Sequence, residues 1–249
     1  PNNPKPIIYT FSQKVRLITS MGIKYFFVLK FNNDMANLAP EEFVKFILKE
    51  KLKISHVVTG ENFIFGKNKS GNISVLSALS EENYIEFDAV KSISNGLEIY
   101  SSSIVRQKIS SGQIEEVNKI LGANYHINGK VVKGDGIGRK IGFPTANIKF
   151  SRLILKPKRG VYIVNIVLEN GSRKNAIANF GIRPSFSGLE ERLEVHIFDY
   201  QTELYGQKVK IEFIKMLREE VKFDDISLLK LQISLDIECA KKTFLRIAV

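Results

Sequence analysis

The chain has a single cysteine, Cys239, so no disulfide can close within it, and such sparse thiol use fits a reducing cytoplasm. Cys239 falls in a helical stretch and reads as a packed thiol. Histidine is scarce too. His56, His126 and His196 are the three present, and neither His56 nor His126 has a second ligand at metal spacing. No apolar run approaches the roughly 20 residues a membrane helix needs, and nothing resembles a secretory leader, so no membrane association is expected. Two familiar phosphate motifs are also missing. Gly66–Gly71 comes near G-x-x-x-x-G-K-[ST], but Asn72 stands where the lysine is required. Gly134, Gly136 and Gly138 lack the G-x-G-x-x-G spacing of dinucleotide folds, and a β-rich region follows them where a long helix would be needed. Zinc-finger spacings and aromatic RNA-binding signatures are absent as well.

At 249 residues there is length for one large domain or two ordinary ones, and an apolar fraction of 44% suits a globular protein with real cores. Lysine and arginine outnumber the acids 37 to 26, a formal charge of +11. The basic residues are scattered (Lys49, Lys51, Lys53; Lys67, Lys69; Lys156, Lys158, Arg159) and not gathered on one helix face. A solvated basic surface is the first expectation and phosphorylated small ligands the second; nucleic acid is not an expected partner. The sequence opens on Pro1 and not on methionine, which leads us to expect an N-terminal piece ahead of it.

The first half alternates helix and strand. Ser12 is placed to cap a short helix carrying Val15, Leu17, Ile18 and Met21, with Gly22 as its stop. Ile23–Phe31 reads as a buried strand, Pro40 as the first turn of a helix through Phe43, Phe46 and Ile47, and His56–Thr59 as a second strand. A helix near Ile73–Leu79, a strand near Tyr84–Val90 and helices about Ser103–Ile109 and Gln113–Leu121 complete this half. Strands separated by helices predict an α/β domain with a parallel sheet. Beyond a boundary near Ala123–Tyr125 the rhythm changes. Val161–Leu168, Asn175–Asn179, Leu193–Phe198 and Val209–Phe213 are short, closely spaced strands, which predict an antiparallel barrel or sandwich. A last helix, about Ile226–Phe244, presents Ile226, Leu229, Ile233 and Ile237 at helical spacing and is expected to pack on the barrel.

The densest chemical signal is Gly134–Asn147, four glycines and an arginine just ahead of Phe-Pro-Thr-Ala-Asn. Closely spaced glycines let several backbone N–H groups turn onto one anion. Pro144 fixes φ, and in an extended chain Thr145 and Asn147 point to the same side. Two hard oxygen donors beside a phosphate cradle suit Mg²⁺ on a nucleoside triphosphate. An ordinary glycine-rich turn before a strand fits the same residues, and on their own they leave both open. Within Leu193–Phe198, Leu193, Val195 and Ile197 face one way and Glu194, His196 and Phe198 the other. Glu194 is thereby directed away from the core, either as a general base or as a solvent-exposed acid. His196 reads as a packing or hydrogen-bonding residue. In the first half, Gly60–Gly66 follows a parallel strand, where open α/β sheets bind ligands. Ser101–Arg106 leads into a helix whose start suits a phosphate or is a plain serine cap.

Together these residues resemble the prokaryotic bifunctional riboflavin kinase/FAD synthetases. Gly134–Asn147 is similar to that family's G-D-x-x-G-R-x-x-G-F-P-T-A-N signature. Gly160–Tyr162, Ala178–Pro184, Leu193–His196, Leu204–Gly206 and an R-x-E-x-x-F pattern at Arg218–Phe223 follow in order. The resemblance implies a Rossmann-like nucleotidylyltransferase domain over 1–123 and a six-stranded antiparallel β-barrel kinase domain with a C-terminal helix over 124–249. It implies that Gly134, Gly136, Gly138, Arg139 and Gly142 hold the ATP phosphates, and that Thr145 and Asn147 bind Mg²⁺ and the phosphates. Glu194 would take the proton of the ribityl 5′-hydroxyl, Asn179, Arg218 and Phe223 would contact or order the flavin, and Ser185–Arg192 would be a mobile flap. For the FMN adenylyltransferase module, Gly60–Lys67 matches G-[ED]-[DN]-F-x-F-G-K, with Asn62 where many members have aspartate, and Ser101–Arg106 loosely matches S-S-T-x-I-R. The nucleotide-binding set implied there is Gly60, Asn62, Phe63, Phe65, Gly66, Ser102, Ser103 and Arg106. The family's opening segment with its H-x-G-H histidines has no counterpart in this sequence. Expected ligands are riboflavin, FMN, FAD, ATP and Mg²⁺, handled by a cytoplasmic enzyme that is monomeric or weakly self-associating. A kinase alone, or a flavin binder without catalysis, is the alternative.

Overall fold

The computed structural model describes residues 6–185, 188–200 and 202–247. Two compact units make up the chain. One spans residues 15–100, and the other joins residues 6–14 to 101–247. Helix α1 (Phe11–Ser20) starts where Thr10 and Gln13 cap each other. The Gln13 Oε1 accepts from the Thr10 N–H at 2.8 Å and from its hydroxyl at 2.7 Å, so Thr10 closes the first turn and not Ser12.

In the first unit, Asn32 caps α2 (Asn33–Asn37), its side chain accepting from the Met35 N–H at 3.0 Å. Pro40 opens α3 (Pro40–Glu42), which runs into a π-helical stretch, Phe43–Lys51. Strands β1 (His56–Gly60) and β2 (Glu86–Val90) pair in parallel from His56↔Glu86 to Gly60↔Val90. Between them lies α4 (Ile73–Glu82), capped by Asn72. Val44, Leu48, Phe65, Leu76, Leu79 and Ile85 form the core. Residues 23–31, expected as a buried strand, are not one: the segment is exposed, Phe27 to 65% and Phe31 to 80%. A strand needs a neighbour for its N–H and C=O groups. Among the described residues, β1 and β2 pair only with each other.

The second unit is a closed antiparallel barrel of six strands. These are β3 (His126–Val132), β4 (Ala146–Phe150), β5 (Gly160–Val167), β6 (Arg173–Ser185), β7 (Gly188–Ile197) and β8 (Lys208–Glu219), in the order β3-β4-β7-β6-β5-β8. Period-2 alternation sends Ile127, Val131, Ile148, Val164, Val195 and Ile211 inward. Burial pushes the hydroxyls of Tyr125 and Tyr162 to a higher pKa; they donate to the Leu155 and Lys158 carbonyls and so pin the segment between β4 and β5. Helices α5 (Ser102–Ser111) and α6 (Ile114–Leu121) bury Val105, Ile109, Ile114 and Val117 in the same core as the barrel. By compactness, α5 and α6 thus go with the barrel, and the two units meet in the chain at 100/101.

A short helix, α7 (Ile137–Lys140), sits in the glycine-rich stretch. The last helix, α8 (Ile226–Ile247), lies against the outer face of the barrel, where Ala240, Ile237 and Phe244 cover Ile163, Ile177 and Phe198. Ile226, assigned to that face from the sequence, is 62% exposed because the helix begins beyond the barrel surface it covers. Cys239 is also exposed and not packed: its neighbour Ala240 takes the inward position. Among the described residues no helix is long and apolar enough to cross a membrane.

Candidate active site

Three adjacent strands of the barrel bring the candidate residues together. Asn147 on β4 lies opposite Glu194 on β7, and Glu194 lies opposite Asn179 on β6. Directly paired residues on antiparallel strands have Cβ atoms about 4.5–5.5 Å apart, so the three side chains stand abreast. Their inward neighbours Leu193, Val195, Ala178, Phe180 and Ile148 are buried. That fixes Asn147, Glu194 and Asn179 on the outer face. There the barrel, the glycine loop and α8 enclose a cavity of about 420 Å³, lined also by Gly136, Gly138, Thr145, Arg218 and Phe223.

The glycines are set by the space they leave. A Cβ on Gly134 would stand 2.1 Å from the Asn147 Nδ2, and one on Gly138 would stand 2.4 Å from the Phe143 carbonyl and 3.2 Å from the Thr145 Oγ1. The loop can therefore lie against Thr145 and Asn147 only where it has no side chains. Gly136 and Gly142 adopt positive φ, 70° and 95°, at either end of α7.

Arg192 and His196 share the Glu194 face. The Arg192 Nη1 donates to the Asp135 Oδ2 at 2.8 Å and stands 3.9 Å from the Glu194 Oε1. His196 Nδ1 lies 2.8 Å from the Pro144 carbonyl, which can only accept, so Nδ1 carries the proton. His196 thus holds the backbone just before Thr145. Arg218 meets the buried Asp236 of α8 through Nε at 3.1 Å to both carboxylate oxygens and through Nη2 at 2.8 Å, and its guanidinium lies 5.9 Å from the Phe223 ring centroid.

Not every candidate faces this cavity. Arg139 pairs with Glu203 at 3.5 Å and lines a neighbouring cavity of about 320 Å³ that shares Thr145. Gly134 lines a third, on the other side of Asn147. The segment expected as a flap is a hairpin in its described part, with Gly181↔Arg192 and Ser185↔Gly188 in register; residues 186–187 lie outside the described residues. Arg192 and Asp236 were missed as site residues, though both left a signal. Arg192 sits two positions before Glu194 on the same strand face, and Asp236 interrupts the apolar stripe between Ile233 and Ala240.

The second set of candidates falls in two places. Gly60, Asn62, Phe63, Phe65 and Gly66 belong to the unit of residues 15–100, and Ser102, Ser103 and Arg106 to the barrel's unit. Asn62 donates to the Ser92 hydroxyl at 3.2 Å, and bonds from Ser92 to Glu61 hold that carboxyl below its usual pKa. Phe65 is buried against Phe43 and Phe63, so its ring anchors the loop from inside. Ser101 caps α5, accepting from the Ile104 N–H at 3.3 Å, and Arg106 donates to the Pro6 carbonyl at 3.2 Å.

A family model described as riboflavin kinase matches residues 121–244, and one described as FAD synthetase matches residues 1–104. The closed barrel with its outer helix is the riboflavin kinase fold, joined to a nucleotidyltransferase-type domain. The bifunctional riboflavin kinase/FMN adenylyltransferase of Buchnera aphidicola subsp. Schizaphis graminum is 37% identical over 247 residues, which cover 98% of this chain and 78% of that protein. The Bacillus subtilis protein of the same name is 34% identical, covering 97% and 76%. A crystal structure of a protein named macrolide-efflux protein, from Streptococcus pneumoniae, superposes with a TM-score of 0.86 at 30% identity, covering 94% of this chain and 75% of that one. The chain belongs to the bifunctional riboflavin kinase/FMN adenylyltransferase family.

Proposed function

We propose that the barrel transfers the terminal phosphoryl group of ATP to the ribityl 5′-hydroxyl of riboflavin, giving FMN and ADP, and that the N-terminal domain belongs to the module that adenylylates FMN to FAD. The functional division runs at 1–123 and 124–249, with α5 and α6 packed on the barrel side of it. The observation that carries the kinase reading is the row Asn147, Glu194 and Asn179 across three strands, with Thr145 beside it.

Glu194 takes the hydroxyl proton as the oxygen bonds to the terminal phosphorus and the bond to the ADP oxygen breaks. The glycine loop turns backbone N–H groups to the phosphates, and Thr145 faces both the cavity for the flavin and the one bearing Arg139, which we assign to the nucleotide. Phe223, Leu229 and Ile233 give the flavin cavity its apolar wall, and Asn179 and Arg218 its polar one. The donor set fits Mg²⁺: two neutral hard oxygens, Thr145 Oγ1 and Asn147 Oδ1, leave coordination positions to phosphate oxygens and water. The ion, when bound, neutralises charge on the transferred group. A flavin binder without catalysis has no use for that pair. The protein is cytoplasmic in this reading, monomeric or weakly self-associating.

Incubation with riboflavin, ATP and Mg²⁺, followed by chromatography, is expected to yield FMN. FAD alongside it or in its place would mark adenylyl transfer, and a mixture with neither FMN nor FAD would sink the kinase reading. Thr145→Ala should raise the Mg²⁺ concentration needed for half-maximal turnover about tenfold or more, and an unchanged magnesium curve would remove Thr145 from the clamp. Gly134→Ala must displace the Asn147 amide and is expected to lower kcat/KM for ATP by about 10²-fold. Steady-state kinetics with ATP varied would show it, and wild-type values would contradict the close fit.

A further inference from the structure

The third cavity, of about 1060 Å³, runs from Gly134 and Asn147 along β4 to the segment after it, and its lining is strongly cationic. Among the described residues six lysines and arginines line it against three acids, Asp135, Glu190 and Glu191. Those acids are already engaged, Glu191 by Lys156 at 3.0 Å, Asp135 and Glu190 by Arg192 at 2.8 and 3.6 Å. Lys133, Lys149, Arg152 and Arg159 are left exposed, with no anionic partner among the described residues. Beside the groove the like charge continues. Lys149 stands opposite Lys130 on β3, which stands opposite Lys208 on β8, three lysines in one row of the barrel. Like charges directly opposite one another weaken a sheet, so this row is a cost to the fold.

The cations also sit on fixed supports. Lys149 is held in a paired strand. The wall bearing Arg152, Lys156 and Arg159 is tied down by the Tyr125 and Tyr162 hydroxyls and by main-chain bonds, Leu155 N–H to the Ile7 carbonyl at 2.7 Å and Lys158 N–H to the Ile109 carbonyl at 3.2 Å. We propose that this groove is a second anion site, bordered by Asn147 but separate from the two cavities that share Thr145, and that it takes a ligand carrying several linked phosphate groups. One exposed cation holds an anion weakly, so a single orthophosphate would gain little, whereas a chain of phosphates engages several cations at once. Nucleic acid fits less well: among the described lining residues Phe150 is the one aromatic ring, and it is half-buried, leaving no platform on which bases could stack.

Tripolyphosphate titrated calorimetrically into the full chain, without nucleotide or flavin, tests this apart from any kinase activity. Saturable one-to-one binding is expected, unchanged in Thr145→Ala, weakened at least about tenfold in Lys149→Glu/Arg152→Glu, and weakened severalfold by raising NaCl from about 0.05 to 0.3 M. Melting curves check that the variant folds; if it does not, Lys133→Glu/Arg159→Glu on the same groove is read instead. Binding lost in Thr145→Ala but kept in the charge reversals would place the anion at the clamp and overturn the proposal. So would no binding at all, or tighter binding of a single-stranded oligonucleotide than of tripolyphosphate.

Discussion

Glu194→Gln is expected to lower kcat for riboflavin phosphorylation by roughly 10²–10⁴-fold with little loss of stability. The amide keeps the shape and the hydrogen-bonding capacity of the side chain but cannot carry the proton away. Little else depends on its charge. The Arg192 guanidinium is 3.9 Å away, and both side chains are partly exposed, a pairing worth about 1 kcal/mol or less. Asn147 and Asn179 keep their places because backbone ladders set the row, not the carboxylate. Single-turnover kinetics with saturating ATP would read the chemical step, and a melting curve would confirm the fold. Turnover near that of the wild type would leave Glu194 as a surface acid and move the proton acceptor elsewhere, with His196 Nε2 next in line on the same strand face.

Much of that site was legible before any coordinates, and the reasons are local. Period-2 alternation assigned Glu194 to the outer face, and spacing by two put Thr145 and Asn147 on one side, because strand geometry transmits sequence to side-chain direction without help from the rest of the fold. The glycine pattern pointed to a cradle, but not to the cause. Only the structure shows that a side chain at Gly134 would meet the Asn147 amide and one at Gly138 the Phe143 carbonyl. What sequence could not supply were partners in tertiary space. Ile23–Phe31 has every local preference of a buried strand, yet strandhood needs a ladder, and the described chain offers it none. β3 and β4 went unseen for the opposite reason: Asn128 and Gly129 dilute the pattern of one, and the other starts two residues after Pro144, but both are held by ladders on either side. Helices α5 and α6 read equally well as the end of the first domain; the apolar faces of Val105, Ile109 and Val117 decide that they pack with the barrel.

Arg218 carries the largest expected effect on stability. Asp236 is 5% exposed on α8, and apart from the guanidinium its described partner is the Gln232 amide at 2.9 Å. Arg218→Ala leaves that carboxylate buried with its charge uncompensated, which costs about 3–5 kcal/mol. The loss should be felt by α8 first, since this pair ties the helix to β8 beside the cavity. Asp236→Ala/Arg218→Ala should be less damaging than Arg218→Ala alone, because removing the acid also removes the stranded charge. Hydrogen exchange over residues 226–247 reports the helix directly and avoids treating a two-unit chain as one transition. If Arg218→Ala left that protection intact, the pair would be an ornament of the surface and not the fastening of the helix. Loss of protection together with a higher KM for riboflavin and an unchanged KM for ATP would tie the fastening to the flavin side of the cavity. Phe223, under the Arg218 guanidinium, and Leu229 and Ile233, on the same helix, form that wall. On the proposed assignment, loosening α8 opens the side of the cavity given to the flavin while Thr145 and Asn147, held beside and in β4, keep their places.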